Sequence, residues 1–472
     1  MGLTQIAASI LTSFLVGALT RGPRRIYSLL TLSALAVYWF QPALPLRSFD
    51  FWLPTLSLVF VVLTWLVTSQ PGAWKARQNL TGLLILGGVV TFVDLSRYLF
   101  PKPVLTTTPP PQLIQYLMFL TAAALLLIAL TAFSRRSLFA ISLVITLLIA
   151  LLIILKSPTL SLQTSILLRA LSGRPTATAS PLDLRWLGFS YIAFRIIHVL
   201  RDRQTGRLPE LTLPEFAAYV LFFPALAAGP IDRAERFAKD LRSDFTLTQE
   251  QTLSAGQRIL VGLFKKFVMA DALALIALND SLAAQVHSTG WMWLHLYAYA
   301  FQIYFDFSGY TDIAIGMARL VGVKLPENFL APYTKPNLTQ FWNSWHMTLT
   351  QWIRAYFFNP FNRWIRGYKS IPAWLMLLLG QLATMLLIGL WHGITWNFIL
   401  WGAWHGLGLF LQNRWSDFAK TRLITASPRL QTALQAGGVL LTFHFVALGW
   451  VFFALSTPQL SAQVLSKLFG LA

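Results

Sequence analysis

Long apolar runs separated by short polar stretches dominate this chain. Uninterrupted runs cover 4–20, 26–44, 50–69, 81–98, 113–133, 137–155, 371–390, 394–412 and 434–455. Each is close to the roughly 20 residues that a helix needs to cross the hydrocarbon of a bilayer. Four further runs, 186–200, 213–228, 254–276 and 291–319, have helical length but are more polar. The pattern predicts an all-α, polytopic integral membrane protein of about 11 to 13 transmembrane helices. The run at 4–20 has no basic segment before it and is followed by Arg21, Arg24 and Arg25, so it reads as a membrane helix and not as a cleavable signal.

The character of the runs changes along the chain. Residues 1–155 form plain hydrophobic helices. Residues 156–185 read as a Pro/Ser/Thr-rich connector, 186–455 as a core whose apolar runs carry polar side chains and many tryptophans, and 456–472 as a C-terminal tail. All belong to one integral membrane domain. Composition narrows the classes. Of 472 residues, 56% are hydrophobic and 11% charged, against about 25% charged in an average soluble domain. That excludes a soluble multi-domain enzyme and a disordered chain. The formal charge of +20 sits in short clusters between apolar runs. Charges that set topology and meet anionic lipids are distributed in this way, so membrane lipids are expected as partners and nucleic acid is not. The loops 21–25, 74–78, 134–136 and 201–207 are basic, whereas 45–49 and 99–112 are poorer in basic residues. The basic loops then face the cytoplasm and the N-terminus lies outside. The chain has no cysteine, which removes disulfides, thiolate metal sites and a protein thioester.

An ionisable side chain inside a membrane run is costly and by default marks a functional site. Three clusters stand out. The first, Gln302 to Asp312, holds Asp306, Ser308, Tyr310 and Asp312. Six residues are about 600° of helix, so the two carboxylates lie on different faces and do not share a proton; ion pairing or helix capping near Gly309 is the plainer reading of each. The second cluster holds Asn343, Trp345, His346, Thr350 and Arg354. On one helix Trp342, His346, Thr350 and Arg354 would share a face, a polar stripe on a segment too short and polar to span, which suggests a re-entrant or buried helix lining a cavity. The third holds Trp391, His392, Trp396 and Asn397, with His405 further on. His392 lies between two long apolar runs, at membrane depth, where a neutral imidazole is a natural general base. His405 would face elsewhere. The spacing 346/392/405 matches no short metal motif, so no metal is expected. Ser308 and Ser344 have no nucleophile-elbow context. Supporting features are Arg195 and His198 in a semi-apolar run, Gly229-Pro230-Ile231 at a helix end, and Lys265-Lys266, interfacial or partners of Asp271.

These clusters together resemble the membrane-bound O-acyltransferase family, in particular its bacterial branch of alginate O-acetylation, teichoic-acid D-alanylation and peptidoglycan O-acetylation membrane subunits. The stretches that carry the resemblance are 187–200, 222–237, 262–273, 301–333, 341–360 and 389–406, with a weaker one at 448–455. The resemblance implies helices around a central tunnel, with His392 as general base and His346 as a second polar residue on the same path. Asp306, Ser308, Tyr310, Asp312, Asn343, Trp345, Thr350, Arg354, Trp391, Trp396 and Asn397 are expected to line or support the tunnel. It also implies acyl transfer to a hydroxyl, with acetyl as the first choice. The donor would be a cytoplasmic thioester, acetyl-CoA, another acyl-CoA or an acylated carrier protein, with no bound cofactor. The acceptor would be an extracytoplasmic polysaccharide or envelope polymer, reached directly or through a partner transferase outside the inner membrane of a bacterium. Two departures bear on acceptor and partner. Asn343 and Ser344 stand where such members usually carry two arginines, and 359–363 reads Asn-Pro-Phe-Asn-Arg in place of a Pro-Leu-Gly-Gly turn. The region before residue 186 is also longer than usual. Two other readings stay open: a transporter or flippase for a lipid-linked glycan, which the 18 tryptophans would suit, and an acyltransferase acting on lipid or protein.

The absence of cysteine makes the orientation directly testable. In intact spheroplasts a membrane-impermeant maleimide should label Lys102→Cys, in an outer loop, and should reach Gln78→Cys only after the membrane is opened. The reverse pattern would invert the topology.

Overall fold

The computed structural model describes residues 2–133, 138–422 and 427–471. The basic loop expected at 134–136 lies outside the described residues. Among the described residues the regular elements are all helices and no strand occurs. Among the described residues five helices are long and apolar enough to cross a membrane: Phe49–Thr68, Arg77–Leu99, Leu138–Lys156, Ala373–His392 and Pro428–Ala454. Leu3–Leu19 and Leu113–Phe133 are apolar as well. Thr289–Leu320 and Trp396–Arg422 have spanning length but carry two of the polar clusters. Large apolar side chains such as Leu84, Phe139, Leu143 and Leu441 stand exposed on these helices. In water such faces would be an aggregation hazard; in lipid they are the expected outer surface.

The chain forms two compact units. One comprises 1–259 and 313–326, the other 260–312 and 327–472. In the first, Gly22–Trp39 packs against Arg77–Leu99 and Leu213–Leu221. Its buried charges are structural. The Arg25 guanidinium donates to the carbonyls of Asp240, Leu241 and Ser243 at 2.9–3.0 Å, at the end of the helix Ala234–Arg242. Arg195 donates to the carbonyls of Val220 and Ala225 at 2.9 and 2.8 Å, and His198 meets Asp202 at 3.0 Å. A cation placed where helix-terminal carbonyls have no partner satisfies them and complements the helix dipole, so these groups staple the fold. The 156–185 segment contains the helix Pro158–Leu171, started by the Ser157 hydroxyl accepting from Leu160 N–H at 3.3 Å. The Arg169–Asp183 ion pair at 2.6 Å ties its far end to the following turn.

In the second unit Ala373–His392 and Trp396–Arg422 form a tight helical hairpin. Glycine is the reason they approach so closely. A Cβ on Gly402 would lie 2.7 Å from the Met385 carbonyl oxygen, and one on Gly406 3.0 Å from Leu382 Cα. The Gly-x-x-x-Gly spacing of these two residues lets backbones touch, which is how helices gain packing energy in lipid. The lysine pair sits on a π-helical turn, Lys265–Ala270. Lys265 pairs with Asp312 at 2.7 Å and Lys266 with Asp306. Asp271 is therefore not the partner suggested by sequence proximity; the carboxylates come from 40 and 47 residues away, on the helix that crosses closely at Gly309, where a Cβ would meet the Gly262 carbonyl oxygen at 2.8 Å.

The hairpin predicts a contrast between two glycines. Gly402→Ala forces backbone apart and should cost about 1–3 kcal/mol, lowering the melting temperature of the purified protein. Gly437→Ala meets nothing within 4 Å and should be neutral or slightly stabilising through helix propensity. Equal melting temperatures would refute the close-packed hairpin.

Candidate active site

The segment 338–358 does not form the single helix that its polar stripe suggests. It breaks into Leu338–Trp342, Met347–Ile353 and a π-helical turn over Arg354–Phe358. The break centres on His346, whose φ of 43° is left-handed, a conformation that costs a non-glycine residue energy and persists only when its surroundings hold it. Here a neighbouring extended stretch does so. Leu330 N–H donates to the Ser344 carbonyl at 3.0 Å, and Met347 N–H to the Asn328 carbonyl at 2.9 Å. The Asn328 side chain adds a second layer. Its Oδ1 lies 3.1 Å from His346 Nδ1, 3.2 Å from Thr348 N and 2.9 Å from Thr348 Oγ1. Asn328 is fully buried.

His392 is the last residue of Ala373–His392, where the chain turns into the second arm of the hairpin. Its imidazole is half-buried and packs at 4.5–5.8 Å centroid distances on Trp391, Phe398, Trp401 and Phe453. The two histidines face one small cavity of about 80 Å³. Trp342, Trp345, Trp401 and Trp450 wall it, with Phe307 and Phe453, and Ile303, Leu349, Thr350 and Ile388 complete it. No carboxylate or cation is among the lining residues. Trp391 contacts both imidazoles, at 4.5 Å from His392 and 6.2 Å from His346. A second hollow of about 280 Å³ is lined partly by Trp342, Thr350 and Ile388, the same residues that wall the first. It runs along Leu377, Gln381, Thr384 and Met385, with Asn413 opposite. Asn343 and Arg354 also line it, joined by a 2.7 Å hydrogen bond from the guanidinium to the amide oxygen. A roomier groove of about 600 Å³ lies along Leu411, Trp415 and Leu441, but it holds no titratable side chain and offers no acid–base chemistry.

The stripe residues Trp342, His346, Thr350 and Arg354 thus come together on two cavities that share wall residues, although no continuous helix aligns them. Trp345 is buried in the wall. The first cluster behaves differently. Asp306 and Asp312 are spent in lysine pairs, and Ser308 and Tyr310 are buried. None of the four lines the cavity; their helix turns Ile303 and Phe307 to it instead. Trp396 is 71% exposed at the start of its helix. Asn397 is buried and binds the Leu455 carbonyl at 2.6 Å and Ser461 Oγ at 3.2 Å, tying helix ends together. His405 is fully buried behind Trp342 and Trp401, outside the cavity. Asn328, Phe307, Trp450 and Phe453 were not singled out by sequence. Asn328 lies in the stretch 301–333 that carries the resemblance, but its bond to His346 spans 18 residues.

The family model described as MBOAT, membrane-bound O-acyltransferase family, matches residues 111–457. The chain belongs to this family. The match begins well before the polar core and includes the helix Leu138–Lys156. Among similar proteins are the probable alginate O-acetylase AlgI of Pseudomonas aeruginosa, 36% identical over 292 residues (60% of this chain, 51% of that protein). The teichoic acid D-alanyltransferase of Bacillus subtilis is 32% identical over 275 residues, 57% of this chain and 69% of that one. The peptidoglycan O-acetyltransferase of Helicobacter pylori is 34% identical over 285 residues, 58% and 52% respectively. The aligned part of the chain spans about half the length of AlgI. As an MBOAT protein it is an integral membrane protein, and the histidine cavity and the adjoining hollow fall within the matched residues.

Proposed function

We propose that this protein is an O-acetyltransferase that carries an acetyl group from a cytoplasmic thioester to a hydroxyl of an extracytoplasmic polymer, directly or through a partner transferase, in a bacterial inner membrane. The observation that carries this reading is the shared cavity. Two imidazoles meet on about 80 Å³ of space, and family membership supplies the reaction class. The cavity is small, so it suits a short acyl group such as acetyl better than a long chain. The apolar, carboxylate-free wall also favours acetyl over an aminoacyl group, whose ammonium would be desolvated without a counter-charge.

The donor would enter by the 280 Å³ hollow. From Leu377 to Ile388 this path follows eleven residues of helix, about 16 Å, a span suited to the slender arm that carries a thioester on coenzyme A or a carrier protein. Arg363, Arg366, Lys369 and Arg414 mark its starting end, the cytoplasmic one by the positive-inside rule. At the cavity, His392 takes the proton of the attacking hydroxyl, whose oxygen adds to the thioester carbonyl carbon. The C–S bond then breaks, the thiolate leaves with the proton from the imidazolium, and the new ester departs with the acceptor. Holding donor and hydroxyl in one water-poor cavity converts a bimolecular step into a local one.

Purified protein in nanodiscs, with its partner transferase where required, tests this reading. Wild type should cleave acetyl thioesters of coenzyme A or carrier protein in preference to octanoyl and D-alanyl thioesters. His392→Ala should lower kcat on the order of 10²–10⁴-fold, the usual worth of a general base, with an unchanged melting temperature. Ile388→Phe, in the wall that both hollows share, should depress kcat/KM for the same donors. An absence of thioester turnover with both donor types and a partner present would refute the reading and favour transport of a lipid-linked glycan; a His392→Ala variant with wild-type turnover would refute His392 as the base.

A further inference from the structure

The first unit holds a cleft that the chemistry at the histidine cavity does not use. Its volume is about 500 Å³, within the roughly 300–1,000 Å³ common to ligand sites. Four separate stretches wall it: Gly2 with Gln5, Trp39 to Pro42, Val104 to Thr107, and Arg185 with Leu187. By the positive-inside rule all four lie on the extracytoplasmic side. Two buried side chains build the walls. Asp50 is fully buried and accepts from Thr107 Oγ1, Thr108 N and Thr108 Oγ1 at 2.6–2.7 Å. It thereby fixes residues 100–112, a connection without regular structure of a length that usually serves function. Gln41, 4% exposed, donates to the Arg185 carbonyl at 2.5 Å and accepts from Leu187 N–H at 3.2 Å. That places Arg185 at the cleft from 144 residues away in the chain.

What these walls leave free has a consistent chemistry. Trp39 is half-buried, and Phe40 lies beside it at 5.7 Å between ring centroids, which gives an aromatic platform. Thr107 is exposed and spends its hydroxyl hydrogen on Asp50, so toward a ligand its oxygen can only accept. The peptide groups of Val104 and Leu105 make no backbone hydrogen bond among the described residues. Charge is the third element. Extracytoplasmic loops are normally poor in Lys and Arg, yet 156–187 carries Lys156, Arg169, Arg174 and Arg185. Arg169 pairs with Asp183 at 2.6 Å, and Arg174 donates to the Pro45 carbonyl at 2.9 Å. Arg185 is exposed, and among the described residues only its backbone is hydrogen-bonded. No carboxylate is among the residues lining the cleft. A guanidinium so placed suits an acid group, which it can bind through two parallel hydrogen bonds. We propose that this cleft is an extracytoplasmic subsite for the acceptor polymer and takes a hydroxyl-rich unit that bears a carboxylate or a phosphate. The acid group sits on Arg185, the hydroxyls on Thr107 and the 104–105 peptides, and a C–H face on Trp39. The inference rests on the proposed transfer to an extracytoplasmic polymer, and it gives the region before residue 186 a task, holding that polymer at the membrane.

Isothermal titration calorimetry on the full chain in phosphatidylcholine nanodiscs reads this binding without reference to turnover. Wild type should bind tetragalacturonate, and neutral maltotetraose about tenfold more weakly, because a charged hydrogen bond is missing. Arg185→Gln should raise the Kd for tetragalacturonate on the order of tenfold, and Trp39→Leu should weaken binding as well. Lys102→Gln removes an exposed charge from the same loops that does not line the cleft and should keep the Kd within about twofold. Tighter binding of a glycerol phosphate oligomer, also weakened by Arg185→Gln, would support the site and assign its anion to phosphate. Three results would overturn the proposal: no binding of either oligomer, wild-type affinity in Arg185→Gln, or an equal loss in Lys102→Gln, the mark of diffuse attraction. Phosphatidylglycerol retained in native mass spectrometry by wild type and lost from Arg185→Gln would also overturn it, in favour of a lipid headgroup. Should Trp39→Leu fail to fold, Arg185→Gln still decides, because its side chain is exposed. Tetragalacturonate binding by a protein that turns over no thioester would sink the acyl-transfer reading and leave the cleft as a binding site; turnover without binding of either oligomer overturns this proposal alone.

Discussion

A chain that breaks its helix at membrane depth must find partners for the backbone groups it frees, because lipid supplies none. The site of this protein is built on one such break. Between Trp342 and Met347 the helix stops and His346 takes a left-handed conformation. The turn survives because 328–330 runs beside it and returns two backbone hydrogen bonds, while the Asn328 amide binds both His346 and Thr348. Without that clasp the stretch would relax toward a continuous helix. His346 would leave the cavity, and the stripe from Trp342 to Arg354 would lie on one straight face.

The second requirement is a place for His392. It lies at the end of a hairpin whose arms touch through Gly402 and Gly406, so the turn after residue 392 is short and the imidazole is held against Phe398 and Phe453. Four tryptophans then close the space between the two histidines. Large planar side chains fill volume with few rotamers, which leaves a cavity that is both small and firm. The proposed function places a short acyl group in this cavity and the donor's longer arm in the adjoining hollow.

Much of this could be read from the chain alone, and the failures have physical causes. The long apolar helices follow from run length, and His346 and His392 follow from polar residues in apolar surroundings. The broken helix at 343–346 did not, because periodicity describes a face only if the helix continues, and what interrupts it is a segment some 15 residues away. For the same reason Asn328 was not singled out. Sequence proximity left Lys265 and Lys266 as interfacial or as partners of Asp271, whereas tertiary folding brings Asp312 and Asp306 to them across a close helix crossing. Arg195 showed that an ionisable group in an apolar run can be a helix staple; the default of function for such a residue holds only where the side chain reaches a cavity.

The central claim is that one acyl group is handled by both histidines in the tryptophan-walled cavity. The most direct measurement is a structure of the protein in nanodiscs bound to an unreactive thioether analogue of acetyl-coenzyme A, or of the acetylated carrier arm. The account predicts density for the arm along Leu377 to Ile388 and the acetyl carbonyl between His392 and His346. An analogue seated in the open groove beside Trp415, or one whose acetyl group stops short of Ile388, would contradict it.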